Sequence, residues 1–306
     1  MTETEVSQAP PPIDAVPLRH PWRWVGAALI IAATALFLYG AATNDAYRWS
    51  VYRKYLFDQR LLEGAWNTLQ LTIYSMVLAI LLGIVLAVMR LSPNPVFRSV
   101  SWVFLWIFRG TPVYVQLVFW GLFPTIYKNL QLGIPFGPTF FELNLQALSI
   151  PFLLAVIGLG LNEGAYMAEI IRAGISSVPE GQSEASTALG MSWGMTMRRT
   201  VLPQAMRVII PPTGNEIISM LKTTSLVTAV PYSYDLYGIA VRDIGGRIFE
   251  PVPMLMVAAT WYLVVTSVLM VGQFYLERYF SRGASRKLTT KQLEALAKAQ
   301  AGTGGM

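Results

Sequence analysis

There is no cysteine in these 306 residues. That absence excludes a disulfide framework and any thiolate metal site. One histidine is present, His20 in the N-terminal tail, and it reads as a solvated tail residue rather than a ligand. Charge is scarce as well. Asp, Glu, Lys and Arg make up 13% of the chain, against roughly a quarter in soluble domains. No Gly-x-x-x-x-Gly-Lys-Ser/Thr phosphate loop occurs, which argues against a nucleotide-binding site of that kind in this chain.

What replaces charge is long apolar runs. The chain is 54% hydrophobic, and residues 25–43, 64–89, 110–127, 143–162 and 251–276 carry no Asp, Glu, Lys or Arg. About 20 such residues cross a bilayer core. A sixth span, 208–234, is interrupted by Glu216 and Lys222. The first run follows Arg19 and Arg23 as a signal peptide would, but its length marks an uncleaved span. Trp22, Trp24, Trp49 and Trp66 fall near span ends, where interfacial tryptophans sit.

The net charge of +6 is compatible with nucleic acid, but the placement of the basic residues argues otherwise. With six spans and both termini cytoplasmic, the inner segments hold 14 Lys/Arg and the outer ones seven. That bias is the positive-inside signal, and basic residues meeting anionic headgroups account for most of the excess. On this topology 44–63, 128–142 and 235–250 lie outside. Residues 90–98, 173–207 and 277–306 lie inside. Residues 1–21, with Pro10-Pro11-Pro12, read as a disordered cytosolic tail. In the C-terminal tail, Thr289 and Gln292 fit a capping box opening a short solvated helix with Leu293 and Leu296.

The inner loop 173–207 is flanked by Arg172, Arg198, Arg199 and Arg207. Ser177-Val178-Pro179-Glu180 fits a capping box, with Ser177 as cap and Glu180 reaching back. The helix then runs to Leu189, and Gly190 supplies a left-handed C-terminal residue. Ala185, Ala188 and Leu189 make a small apolar strip beside Glu184. Such a strip suits either a groove on a partner protein or the chain's own bundle.

The block Gln182-Ser183-Glu184-Ala185-Ser186, then Gly190, then Leu202-Pro203-Gln204-Ala205, resembles the EAA loop of binding-protein-dependent ABC importer permeases. Its spacing is the family's. Ser186 stands for the second Ala, and Thr200 for Ile. Four more blocks resemble the polar amino acid branch: Gly64-Ala65-Trp66-Asn67-Thr68-Leu69, Arg109-Gly110-Thr111-Pro112, Gly164-Ala165-Tyr166-Met167-Ala168-Glu169-Ile170 and Lys222-Thr223-Thr224-Ser225-Leu226. The resemblance covers about residues 60–278. It implies an all-α polytopic membrane helix bundle of about six transmembrane helices. Five form a type I ABC permease core, and residues 22–43 add an N-terminal one. It also implies cytosolic ABC ATPase subunits that bind ATP and Mg. A second permease subunit, identical or related, and an external amino-acid-binding protein complete the assembly. The ATPase-coupling residues carried over are Glu184, Ala185, Ser186, Ala188, Leu189 and Gly190.

Ionisable groups inside spans are costly and therefore functional candidates. Asn162, Tyr166 and Glu169 share one face of the fourth span, with Glu163 a quarter turn away. Asn215, Ser219 and Lys222 repeat that spacing in the fifth, followed by Thr223, Thr224 and Ser225. Pro211-Pro212 predicts a broken or kinked helix there, and broken helices line transport paths. One reading joins the two faces across a cavity, with Lys222 on a substrate carboxylate and Glu163 on an ammonium or guanidinium. The other makes Lys222 an ion-pair partner of Glu163 or Glu169. Glu169, near the cytoplasmic end, suits the pair, and Glu163 suits the cavity. Arg109 to Pro112 reads as structural, and Gln116 as a further cavity candidate.

The function expected is a passive translocation subunit of an ATP-driven importer of a polar amino acid, in the inner membrane. A secondary transporter or channel would need a complete coupled pathway, usually with internal repeats, and would leave the docking loop idle. A membrane scaffold would leave Glu163 and Lys222 as an unexplained cost.

Overall fold

The computed structural model describes residues 21–134, 137–145 and 150–280. The expectations for residues 1–20 and for the C-terminal capping box lie outside that range. The chain divides into two units, Met1–Trp49 and Ser50–Met306. In the first, α1 (Pro21–Thr43) buries no residue. Its 23 residues extend about 35 Å, enough to cross the hydrocarbon core.

The division falls at the first residue of α2 (Trp49–Tyr55), which is followed by α3 (Gln59–Leu91). Asp58 starts α3 by accepting the Arg60 N–H at 3.0 Å, one of the donors a helix start leaves free. The buried face of α3 carries Thr68, Thr72, Ser75, Ala79 and Gly83 at helical spacing. Its exposed face carries Ile73, Val77, Leu81, Ile84 and Val88. Large apolar groups outside and small or polar ones inside are the pattern of a helix packed in lipid.

Helix α6 (Pro151–Ser176) runs beside α3 in the same direction. Gly160 faces Leu78 and Gly164 faces Leu82; a Cβ at either would lie 2.7 or 2.8 Å from the leucine Cδ2. The Gly-xxx-Gly spacing lets the two helices approach closely. Helix α6 begins at Pro151, later than the run 143–162 suggests. The residues before it form a hairpin of β1 (Asn129–Gly133) and β2 (Thr139–Asn144).

The third span also differs from expectation. The turn after α3 is short, and α4 (Pro95–Gly110) starts at once, capped by Asn94. Helix α5 (Val113–Ile126) then leaves at 106° to α4. Pro112 holds Thr111 in an extended conformation, φ −116° and ψ 145°, which ends α4. The apolar run 110–127 is therefore only half of a bent pair.

Beyond α6 come α7 (Glu180–Ala188), α8 (Trp193–Thr196), a π turn at Met197–Val201 and α9 (Leu202–Thr223). Pro211 and Pro212 do not interrupt α9. Gln273, reaching over Gly214, donates to the Pro211 carbonyl at 2.7 Å and ties α9 to the last helix. A 3-10 turn (Thr224–Ala229), a π turn (Gly238–Ile244) and α10 (Gly245–Ile248) lead to α11 (Pro251–Phe280).

Among the described residues, four helices are long and apolar enough to cross a membrane: α1, α3, α6 and α11. The bent pair α4–α5 makes a fifth. Helix α9, needed for the expected six, carries Glu216 and Lys222 and falls outside that set. The main core packs Leu71, Leu117, Leu159, Met167, Ile209 and Met220 around α6.

Candidate functional site

A cavity of about 540 Å³ opens where the α4–α5 bend meets α6 and α9. Arg109, Asn162, Glu163, Tyr166, Glu216, Ser219 and Thr223 line it. Helices α6 and α9 run in opposite directions, since Gly174 meets Ile209 while Glu163 meets Glu216. This antiparallel pairing brings two carboxyls together that are far apart in sequence. Glu163 is 8% exposed, and its Oε1 has no hydrogen-bond partner among the described residues. The Arg109 guanidinium sits over the Tyr166 ring, 5.3 Å from the centroid. That cation–π contact holds one positive charge on the wall of the cavity that also holds the two carboxyls.

The bend itself is held by two amides. Breaking the helix at Thr111 and Pro112 leaves carbonyls of the last turn of α4 without their N–H partners. Gln116 Nε2 donates to the Phe108 and Thr111 carbonyls at 3.0 and 3.1 Å. Asn162 Nδ2 donates to Phe108 O at 3.0 Å and to Gln116 Oε1 at 3.1 Å. Gln116 therefore splints the bend and is absent from the cavity lining, while Asn162 does both.

Of the fifth-span candidates, Ser219 and Thr223 reach the cavity. Asn215, Lys222, Thr224 and Ser225 are absent from its lining. Thr224 is fully buried and donates to Leu221 O, and Ser225 donates to Lys222 O. Lys222 is exposed and pairs with neither glutamate. Glu169 is held instead by Arg172 at 2.8 Å, with Arg90 at 4.0 Å.

The second locus is α7. The expected capping box does not form: Ser177 Oγ donates back to Gly174 O, and α7 starts at Glu180 without a side-chain cap. Its C-terminus follows expectation. Gly190 has φ +76°, with bonds from Gly190 N to Thr187 O and from Met191 N to Ser186 O. That pair of bonds is a Schellman motif, which favours glycine at the left-handed position. Glu184, Ala185, Ala188 and Leu189 are exposed, Leu189 at 83%. Ser186 turns inward and bonds Thr200. Trp193, 77% exposed on α8, was not singled out by sequence.

Residues 79–282 match the binding-protein-dependent transport system inner membrane component family. The chain belongs to that family. It is a multi-pass permease subunit of an ABC importer of the polar amino acid type. The permease is 62% identical over 297 residues to the arginine transport system permease protein ArgU of Corynebacterium glutamicum, covering 97% of this chain and 92% of that one. It is 39% identical over 210 residues to the histidine/lysine/arginine/ornithine transport system permease protein HisM of Salmonella typhimurium, covering 68% and 84%. A crystal structure of an amino acid ABC transporter with histidines superposes with a TM-score of 0.61 at 30% identity, covering 78% of the permease and 99% of that chain.

Glu216 and Arg109 are the cavity residues of this permease that sequence reading undervalued. Both are ionisable groups inside apolar segments, which was the available signal. Their convergence on Glu163 depends on helix pairing and on the bend, and neither is written in local spacing.

Proposed function

We propose that this permease passes a cationic amino acid through the α6–α9 cavity. The observation that carries the reading is the pairing of Glu163 with Glu216 in a cavity that Arg109 also lines. A cation between two carboxylates relieves their mutual repulsion and gains attraction to both. Arg109 takes the substrate's α-carboxylate, the role first considered for Lys222. Two acidic groups and one basic group complement a substrate bearing two positive charges and one negative. The relatives named for arginine and for histidine, lysine, arginine and ornithine transport support that substrate class. Asn162, Tyr166, Ser219 and Thr223 supply neutral polar contacts along the wall.

In this reading the permease domain is 60–278, and the loop containing α7 faces the cytosol, as do both termini. Glu184, Ala185, Ala188 and Leu189 dock a separate ATPase, with Ser186 and Gly190 shaping the helix. ATP and Mg belong to that subunit, and this chain is not itself an enzyme. A second permease subunit and an external binding protein complete the importer. The test is uptake of labelled arginine by proteoliposomes carrying the complete importer. Glu163→Gln and Glu216→Gln should each cut uptake while ATPase subunits remain bound. Unchanged uptake in both variants, or uptake without ATPase subunits, overturns the reading.

A further inference from the structure

The turn between α3 and α4 builds a second polar pocket that the pathway does not use. A cavity of about 270 Å³ is lined by Arg90, Pro95, Arg98, Ser99 and Trp102. Arg98 forms no ion pair among the described residues. Arg90 is only loosely held: its single carboxylate neighbour, Glu169, lies at 4.0 Å and is engaged by Arg172 through two bonds of 3.1 and 2.8 Å. Two guanidinium groups thus share a pocket whose lining contains no acidic residue.

The surroundings decide what anion fits. Trp102 and Trp106 stack at 6.1 Å with planes 3° apart, and both are exposed. A second cavity of about 380 Å³ shares Arg90 and Trp102 and continues along α4 past Leu105 and Trp106 to Arg109, with Glu169 on its wall. Val96, Phe97, Val100, Val103 and Ile107 are exposed along α4 as far as Arg109. A basic pocket at a helix turn, beside the exposed apolar and aromatic surface of α4, matches a molecule with an anionic head and a hydrocarbon tail. A soluble anion would have no use for that surface. Because α3 and α6 run in parallel and Arg90 reaches Glu169, the pocket lies at the same end of the bundle as α7.

We propose that Arg90 and Arg98 bind the phosphodiester of an anionic phospholipid, with Trp102 and Trp106 lining the path of an acyl chain. Placing this lipid in the inner leaflet rests on the reading that α7 faces the cytosol. The binding chemistry itself does not, and basic pockets between membrane helices are known places for such headgroups.

The full-length permease, purified in detergent, is titrated with short-chain phosphatidylglycerol and with phosphatidylcholine, and retained lipid is counted by native mass spectrometry. The wild type should prefer phosphatidylglycerol. One basic residue near an anionic surface is worth a few-fold in affinity, so Arg98→Gln should weaken phosphatidylglycerol about five- to tenfold. Phosphatidylcholine should be unaffected, and Arg98→Lys should recover most of the preference. Arg278→Gln, near the C-terminus of α11 and absent from the pocket lining, should change nothing. Inorganic phosphate in large excess should fail to displace the lipid. The proposal falls if Arg98→Gln binds phosphatidylglycerol as the wild type does, or if inorganic phosphate competes freely, which would mark a soluble-anion site. It also falls if Arg98→Gln, built into the complete importer, keeps its lipid but releases the ATPase, which would mark a protein contact. A thermal melt of Arg98→Gln matching the wild type separates lost binding from lost folding.

Discussion

Ser186 and Thr200 share a hydrogen bond of 2.9 Å between α7 and the π turn that leads into α9. These are the two positions at which the loop containing α7 departs from the Ala and Ile of the EAA pattern. The departures are a matched pair: two hydroxyls meet where two apolar groups would otherwise pack. Ser186 also donates to Gln182 O, and Gln204 bonds both Gln182 and Thr200 O, so the pair belongs to a small polar staple.

The staple makes a coupling prediction. Ser186→Ala leaves the half-buried Thr200 hydroxyl without its partner, and Thr200→Ile leaves Ser186 with only the Gln182 carbonyl. Each single change should cost about 1 kcal/mol. The double Ser186→Ala/Thr200→Ile replaces both polar groups and should lose less than the sum. A double-mutant cycle on thermal unfolding in detergent measures the difference. Strict additivity would mean that the two hydroxyls are independent.

Docking should depend on the end of α7. Gly190 is held at φ +76°, and no atom lies near a Cβ built on it, so backbone strain alone opposes a side chain there. A β-branched residue is a poor fit to positive φ. Gly190→Val should therefore unwind the last turn of α7 while membrane insertion stays normal. Glu184→Lys reverses the charge beside the exposed Ala185, Ala188 and Leu189. Both variants should co-purify less ATPase. Full ATPase retention by both would exclude this patch as the docking face.

How far the sequence reached differs by element. The end of α7 at Gly190 was legible because a Schellman motif is local chemistry. The Ser177–Glu180 box was misleading, because Ser177 spends its hydroxyl on the preceding helix. Pro211 and Pro212 pointed to a break, yet α9 continues, tied to Gln273 from 62 residues away. The Glu163–Glu216 meeting was invisible for the same reason. Each half sits on a regular helix, and only the antiparallel packing of α6 and α9 joins them.

The cavity carboxylates should act on transport rather than assembly. Glu163→Gln keeps shape and hydrogen bonding but removes a charge. A charge-assisted hydrogen bond contributes roughly 1.5–3 kcal/mol, so apparent affinity for arginine should fall about ten- to a hundredfold. Lys222→Met should leave uptake near normal, because Lys222 is exposed and absent from the cavity lining. Wild-type affinity in Glu163→Gln, or a large loss in Lys222→Met, would redraw the site.

The α4–α5 bend should be the most fragile irregular feature. Gln116→Leu removes every donor that reaches the Thr111 carbonyl and one of two on Phe108 O. A buried polar group left unsatisfied costs about 1–3 kcal/mol. Gln116→Leu should lower thermal stability by that amount, and Gln116→Glu should not restore it, since a carboxylate cannot donate. Wild-type stability in Gln116→Leu would show that the bend is held by Pro112 and packing alone.

Asp235 should make stability depend on pH. It lies between α9 and α11, fully buried, with Oδ2 accepting the Tyr237 and Gly238 N–H groups. Its Oδ1 has no partner among the described residues. Burial pushes its pKa up from 3.8 to about 6, only partly offset by those backbone bonds and by Arg242. Tyr232 and Tyr262 are the other titratable groups that face it. A raised carboxyl pKa means that the folded state holds the proton more tightly than the unfolded chain does. The proton's stabilising contribution is therefore complete below about pH 4 and is lost as pH rises through about 6. Above that, the ionised carboxylate is a penalty of at most about 3 kcal/mol, from about two pKa units at 1.36 kcal/mol each. Asp235→Asn keeps an acceptor oxygen for the two N–H groups and carries no charge. The variant should melt higher than the wild type at pH 8, and the gap should close as pH falls to 5. Parallel melting curves at both pH values would mean that Asp235 keeps its charge at no cost, through a contact other than those seen here.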